Sequence, residues 1–478
     1  MQNPHFDDSA MRDFIVNGYT LVHADYPPEF HQAVYDKIEE VLAKEGNPGN
    51  NILPRIPELQ QIFDHPAVAG ALAALLGPHY AMHPHRYCHL NPPGNGGQNW
   101  HKDDYIYDQN VRHHRHRWVM AFYYPQNVTP DMGATGIAPG RQYCGGISSS
   151  DPAQSTEREL ALCGPAGTVA IVNFDSWHRA TANRSDKKRY MLKFQFTRME
   201  EPQTPTWVSQ CADWQKRTDE VHGDLARHVW DWLAGGAGTQ ERNGKDQDSL
   251  AKLARNLHHE HESERLRAAY ALGDAGGEAV SHLLDALRVE ARDRAEANQA
   301  ASPANPQGGN PAELCAAHAL SATGAPAMPA LVGELKHKHW AVRAAAADIL
   351  GNLGKLSRDT VPALSQSMRD ENVWVRRNAA EALGVIASPD AAEDLGRALA
   401  DEDWRIRFNS AFALAKIGPA ADEAVPALVR QLDDENRYAR YYAVLALKRI
   451  GTPRAQEVLW DNLFTARWCP VTTVESTF

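Results

Sequence analysis

Along residues 8 to 80 the apolar positions fall at helical spacing, interrupted once. Met11, Phe14 and Ile15 share one face of a helix that Asp8-Ser9 can cap, and Tyr19-Thr20-Leu21-Val22 then reads as a short strand. Pro27-Pro28 opens a second helix carrying Val34, Ile38, Val41 and Leu42. After a looped stretch rich in Asn, Gly and Pro, residues Pro66 to Gly77 form a short apolar helix ended by its glycine.

From about residue 80 the period changes to two. His83, His85, Tyr87 and His89 alternate with Met82, Pro84, Arg86 and Cys88, and the turn-forming run Pro92 to Gly97 leads into Trp100-His101. Further strands are predicted at 118–124, 167–173 and 189–197. In the last of these Tyr190, Leu192, Phe194 and Phe196 share one face, leaving Arg189, Met191, Lys193 and Gln195 on the other. Short strands behind a helical N-terminus predict a double-stranded β-helix, or jelly roll, with any site inside its mouth. The region ends near residue 235, where Gly235 to Gln240 marks a linker.

Beyond the linker the pattern is all-helical and repeats itself. Arg343, Arg376, Arg407 and Arg440 recur at one register, each inside a similar Ala- and Leu-rich helix. Second helices begin at Val361, Ala391 and Val425, and acidic turns such as Asp370-Glu371 and Asp434-Glu435 join the units. Weaker copies start at Leu266 and Leu314, separated by an insert, Asn298 to Pro311, expected to be a flexible loop. Such a period means an α-solenoid, and these units resemble HEAT repeats. The recurring arginines fit an inter-repeat hydrogen-bond ladder. Trp340, Trp374, Trp404 and Tyr438, which recur just before them, either staple each turn or line a partner-docking face. The expected division is 1–235 for the jelly roll, 236–247 for the linker, 248–465 for the repeats and 466–478 for a tail.

Composition narrows the setting. With 60 acidic and 49 basic side chains in 478 residues, nucleic acid and anionic membrane are disfavoured as partners, and the repeat half is mildly acidic as well. Six scattered cysteines form no Cys-x-x-Cys pair, and no run resembles a leader or a membrane span, so a cytoplasmic location is expected.

The chemistry concentrates around Trp100-His101-Lys102-Asp103. A His and a carboxylate two residues apart on extended backbone face the same way and can hold adjacent positions on one metal ion. A later His is then needed, and one stands at His178, followed eleven positions later by Arg189. Two His and one carboxylate on one face of an octahedral ion are the ligand set of non-haem Fe(II) oxygenases. His83, His85 and His89 offer either a second metal site or a structural strand face. The basic run Arg112 to Arg117 either steers an anionic substrate or is a solvated loop.

On four motifs in order, residues about 8 to 198 resemble the phytanoyl-CoA dioxygenase family of Fe(II)/2-oxoglutarate oxygenases. The motifs are Phe14-x-x-x-Gly18-Tyr19, Trp100-His101-x-Asp103, Asp131 to Gly140, and His178 to Arg189 with Asn183-Arg-Ser185-Asp186 between. The resemblance implies that His101, Asp103 and His178 bind iron, that Arg189 pairs with the distal carboxylate of 2-oxoglutarate, and that Trp118 lies against that cosubstrate. An arginine suits the role because its planar fork matches a carboxylate, though Arg184, Lys187 and Lys188 lie in the same hairpin. Oxygen is the third reactant. Where the family often has Ser-His after the Pro-Gly, this chain has Arg141-Gln142. Lys102, Asp104, Tyr105, Arg141 and Arg179 flank the expected ligands and are candidate substrate contacts.

The activity expected is hydroxylation of a C–H bond in a small polar metabolite or natural-product intermediate, with 2-oxoglutarate converted to succinate and CO2. Related halogenases lack the carboxylate ligand, so Asp103 favours hydroxylation or desaturation. Two other functions fit the layout. One is an oxygenase whose protein or carrier-bound substrate is recruited by the repeats, which could also dock intramolecularly; the other is a scaffold with a vestigial oxygenase part.

Overall fold

A computed structural model of the chain describes residues 6–103, 112–147, 159–211, 213–215, 222–236, 246–301 and 309–465. Two compact units emerge, one holding all nine strands found among these residues and the other holding the helices of the C-terminal half. Tyr105, Asp104, the linker centre and the tail lie outside the described residues.

The first helix, Asp8–Asn17, starts one residue earlier than its sequence implies. Asp7 is the cap, its carboxylate accepting from the Ala10 amide at 2.9 Å. Asp8 is buried, accepting from the Trp207 indole at 2.6 Å and from the amides of Gln210 and Cys211 at 2.9 Å each. Gly18, at φ 79°, ends the helix in the left-handed region where a side chain would be strained. The chain enters β1 (Tyr19–His23) directly.

The remaining strands are β2 (Ala81–Met82), β3 (Tyr87–Asn91), β4 (Trp118–Tyr123), β5 (Thr135–Ile137), β6 (Leu160–Leu162), β7 (Thr168–Asn173), β8 (His178–Ala180) and β9 (Arg189–Thr197). They make two antiparallel sheets, one ordered β1-β7-β4-β9-β2 with β3 also on β9, the other β6-β5-β8. Every residue of β4, β7 and β9 is buried, so both faces of the larger sheet are covered. Helices cover one face. Phe63, from Glu58–Asp64, packs 4.4 Å from Phe194 and 5.4 Å from Phe196, and Tyr35, from Pro28–Glu45, lies 5.4 Å from Tyr190. Burying each such ring contributes about 1.5–3 kcal/mol. The other face carries Arg189, Lys193 and Gln195 and is therefore a polar interior that needs partners.

The stretch expected to run unbroken from Met82 to His89 is two strands. The His83 amide still donates to the Gln195 carbonyl at 2.8 Å, but Pro84 has no N–H for the ladder, and residues 84–86 leave it before β3 rejoins β9. His83 is consequently buried beside Trp118, with ring centroids 5.4 Å apart, while His89 is on β3. The basic run before β4 is not a solvated loop: His114, His116 and Arg117 are buried, and Arg117 holds Glu201 through two bonds of 2.7 and 2.9 Å.

In the second unit helices alternate long and short, Trp340–Asn352 and Val361–Ser367, Val373–Ile386 and Ala392–Ala398, Trp404–Ile417 and Val425–Gln431, before a last pair of two long helices, Arg437–Ile450 and Pro453–Thr465. Gly351 and Gly384 are small for a reason: a Cβ at Gly351 would sit 2.6 Å from the Cα of Ala382, and one at Gly384 3.0 Å from the Cβ of Ala413. Three of the four recurring arginines form the ladder, while Arg440 bonds the Asp434 and Glu435 carbonyls of its own turn. Arg343 grips Asp370 at 2.7 and 2.8 Å, and Arg376 and Arg407 do the same to Asp401 and Asp434 in the following turns. The insert differs from expectation, because helix Val280–Ala301 continues through its first residues. Asn310, near its end, is buried against Asn378 at 2.6 Å.

No helix among the described residues is long and apolar enough to cross a membrane. Among the described residues Cys88, Cys144, Cys163, Cys211 and Cys315 form no disulfide.

Candidate metal centre

His101 lies outside the named strands, yet its backbone pairs with the first residue of β8. His101 and His178 exchange two hydrogen bonds, of 3.1 and 3.0 Å, so the smaller sheet is extended by one bridge. Side chains two residues apart on this extended segment share a face, which brings Asp103 alongside. One donor atom from each of His101, Asp103 and His178 falls within 4.8 Å of the others, and no other such group occurs among the described residues.

The imidazoles are oriented by their own loops. His101 Nδ1 lies 3.0 Å from the Asn99 carbonyl, and His178 Nδ1 lies 3.0 Å from the Ser176 carbonyl. A carbonyl can only accept, so each Nδ1 carries the proton and each Nε2 keeps its lone pair toward the centre. Burial pushes His178 down to about 4, outweighing the pull of Asp103, so this ring is neutral and suited to bind a cation. His178 Nε2 stands 3.8 Å from Asp103 Oδ2.

Two cations on the inward face of β9 complete the geometry. Arg189 is 1% exposed and gives Nε and one terminal nitrogen to the Gly133 carbonyl at 3.0 and 2.7 Å, while Nη1 makes no hydrogen bond. The hydroxyls of Tyr124 and Thr135 are likewise buried and make no hydrogen bond of normal geometry, though Thr135 is near enough to offset part of the rise that burial gives the Tyr124 phenol. Gly133 has φ 72°, and a side chain there would run into the Asn91 amide, so the carbonyl that seats Arg189 depends on glycine. The second cation, Lys193, reaches Asp103 Oδ2 at 2.8 Å. Sequence reasoning put Lys193 on the face of Arg189 without giving it a role; strand parity was the available signal.

The other candidates divide. Lys102, between two inward residues, turns away by alternation, with Nζ 3.1 Å from the Gln142 carbonyl and 5.5 Å from the Trp177 ring. Arg179, next to His178, also turns away, bonding Glu159 at 3.0 and 2.6 Å and lying 4.6 Å from the Trp100 ring. Arg141 is buried, and the neighbouring Gln142 anchors its loop to the Ile15 carbonyl at 2.9 Å. Trp118 stands across from Thr197, at the opposite end of β9 from Arg189, so the structure does not bring these two together. The two positions lie eight steps apart along the strand, about 26 Å.

Residues 17–191 match the family model described as phytanoyl-CoA dioxygenase (PhyH). The match covers this part of the chain alone. Segments 328–415 and 393–468 match HEAT repeats. The donor set of this domain, two imidazoles and one carboxylate, suits a divalent metal ion. Solved structures similar to the chain include the non-heme alpha ketoglutarate dependent carbocyclase SnoK from nogalamycin biosynthesis, at 18% identity, TM-score 0.34, covering 42% of this chain and 87% of that one. Another is EctD from S. alaskensis, solved with 2-oxoglutarate and 5-hydroxyectoine, at 17% identity and TM-score 0.35, covering 42% and 79%. A third is AviO1 from Streptomyces viridochromogenes Tue57, at 14% and 0.32, covering 40% and 93%. No curated protein matches.

Proposed function

We propose that the phytanoyl-CoA dioxygenase-family domain is an Fe(II)- and 2-oxoglutarate-dependent hydroxylase of a small polar metabolite or natural-product intermediate, its two sheets forming a double-stranded β-helix. The observation that carries this reading is the convergence of His101, Asp103 and His178, with both imidazole tautomers set by backbone carbonyls. A cluster of two neutral nitrogens and one carboxylate fits a divalent ion and leaves coordination positions open. When bound, the iron would supply, with 2-oxoglutarate and O2 as co-reactants, the oxidising chemistry that converts a substrate C–H to C–OH, one oxygen atom of O2 going to the product and the other to succinate as CO2 is released.

The protein's own part is placement. His101, Asp103 and His178 would hold the ion, the carbonyls of Asn99 and Ser176 keeping the rings turned. Arg189 would take the distal carboxylate of 2-oxoglutarate with its unengaged Nη1, while its bonds to Gly133 fix the guanidinium in place. The buried Tyr124 and Thr135 hydroxyls are donors for that same carboxylate. Phe122, whose ring centroid is 6.0 Å from that of His178, keeps the inner wall apolar and water out.

The test is incubation of the full chain with Fe(II), 2-oxoglutarate and a metabolite extract in air. A product heavier by one oxygen atom, with stoichiometric succinate, is expected. Absence of any 2-oxoglutarate-dependent spectral change on anaerobic Fe(II) addition would reject the reading.

A further inference from the structure

Residues 138–146, which follow β5, touch both segments that carry the candidate ligands. Lys102, which stands between His101 and Asp103, donates to the Gln142 carbonyl at 3.1 Å. Trp177, which precedes His178, is held twice: its carbonyl accepts from the Ala138 amide at 3.0 Å, and its indole donates to the Cys144 carbonyl at 3.0 Å. The loop itself is tied to the first helix, where the Ile15 carbonyl accepts from Gln142 at 2.9 Å and from the Tyr143 hydroxyl at 2.7 Å.

One further contact comes from far along the chain. Glu262, the first residue of helix Glu262–Asp274, lies beyond the linker, yet residues 258–267 group with the first unit. Its carboxylate accepts from the amides of Gly145 and Gly146 at 2.8 and 3.4 Å. The Gly145 amide and the Cys144 carbonyl are two ends of one peptide group, so a single rigid plane receives the Trp177 indole on its oxygen and gives its N–H to Glu262. An anionic acceptor draws on the N–H and leaves the carbonyl oxygen richer in electrons, which strengthens its hold on the indole. The carbonyl that orients the His178 ring belongs to Ser176, on the other side of Trp177, so turning Trp177 turns the imidazole with it.

We propose that Glu262 is a positioning residue for the metal centre: through the 144–145 peptide and the Trp177 indole it fixes the orientation of the segment Ser176-Trp177-His178. This rests on the oxygenase reading and adds to it a residue outside the segment 17–191 that matches the family model. The metal donors would then owe part of their alignment to a carboxylate that never touches the ion.

The experiment measures Mn(II) binding to the full chain by calorimetry. Glu262→Ala should weaken it roughly three- to tenfold, less than the loss of a partner bonded directly to a metal-ligating side chain, because Glu262 acts through a peptide and an indole. Glu262→Gln keeps an acceptor oxygen of the same reach without the charge and should fall between Glu262→Ala and the wild type; it also keeps the test open if the alanine variant does not fold. A double-mutant cycle separates positioning from general loosening. In a Trp177→Phe background, which lacks the indole donor, Glu262→Ala should lose most of its effect on Mn(II) binding. Asp8→Asn, which disturbs the same unit at the Trp207 contact, should leave Mn(II) affinity as in the wild type. Unchanged affinity in both Glu262 variants, a full effect of Glu262→Ala in the Trp177→Phe background, or an equal loss in Asp8→Asn each overturns the proposal while leaving the oxygenase reading in place. A wild type that binds no Mn(II) removes that reading, and the proposal falls with it.

Discussion

His101 and His178 are joined through their backbones, amide to carbonyl in both directions at 3.1 and 3.0 Å, although 76 intervening residues separate them in the chain. The pairing puts the two imidazoles 4.4 Å apart, centroid to centroid, before any metal arrives. Preorganisation of this kind lowers the ordering cost of binding an ion.

The first prediction follows from that arrangement. A metal that binds only the folded protein stabilises it by about 2.7 kcal/mol at a hundred times its dissociation constant. Mn(II) should therefore raise the melting temperature of the wild type and leave His101→Ala and His178→Ala almost unmoved. Asp103→Ala should behave like them and also melt lower without metal, because Lys193 loses its carboxylate. All three should lack turnover. Full activity in any one of them would remove that residue from the metal centre.

Arg189 gives a different signature. Its guanidinium is seated on the Gly133 carbonyl with Nη1 to spare, so shortening it removes a charged, directional contact to the cosubstrate and leaves the metal donors intact. Arg189→Ala should weaken 2-oxoglutarate binding by about 1.5–3 kcal/mol, roughly ten- to a hundredfold, with Mn(II) affinity unchanged. Arg189→Lys should recover only part, since a point charge does not replace the fork. Unchanged 2-oxoglutarate affinity in Arg189→Ala, measured by calorimetry, would assign the distal carboxylate elsewhere.

Acid should destabilise the first unit through His116. Its ring is buried between Phe14 at 5.2 Å and Trp232 at 5.8 Å, and burial, aided by Arg198 and Arg117, pushes it down to about 3. The unfolded chain, with an ordinary histidine near 6.5, binds a proton there that the folded protein refuses. Stability is therefore full above about 6.5 and falls as pH drops toward 3, at up to about 1.4 kcal/mol per pH unit from this one group. His116→Phe should flatten that limb in urea unfolding series at pH 7, 6, 5 and 4. An unaltered slope would mean that His116 is accessible to protons in the native state.

Much of the site was legible because it lies on chemistry with local spacing. The two-residue step from His101 to Asp103 and the alternation along β9 are read directly from the chain, and the residues Arg189, Met191, Lys193 and Gln195 do face away from the helices that cover Phe194 and Phe196. What was not legible depends on contacts distant in sequence. β5, β6 and β8 have three residues each, too few to display a period, and they became visible only through pairing. Asp8 was read as a cap because a cap and a buried carboxylate look alike until Trp207 arrives from 199 residues away. Lys102 and Arg179 were candidates by adjacency, and alternation turned both outward. The repeats were the easier case, since each helix pair meets only its neighbours and the period itself encodes the contact.

That nearest-neighbour design makes the arginine ladder testable. Arg343 donates to both oxygens of Asp370, and its remaining nitrogen caps the carbonyls of His337 at 3.0 Å and Lys338 at 3.3 Å, so one side chain closes its own turn and clamps the next. Asp370 in turn accepts from the Asn372 amide at 2.9 Å, fixing the start of helix Val373–Ile386. Both partners are mostly buried, with 11% and 13% of their side chains exposed, so truncation leaves a carboxylate and two carbonyls short of donors. Arg343→Ala should cost about 3 kcal/mol, near the lower end for breaking a buried pair. Arg343→Lys should restore the charge but not the clamp and recover less than half of this. Because coupling between repeats runs through this contact, Arg343→Ala should also split helical unfolding into two phases, read as a broadened urea transition in circular dichroism. A single transition at the wild-type midpoint would reduce the ladder to surface decoration and shift the burden of repeat coupling to the glycine and alanine contacts at Gly351 and Ala382.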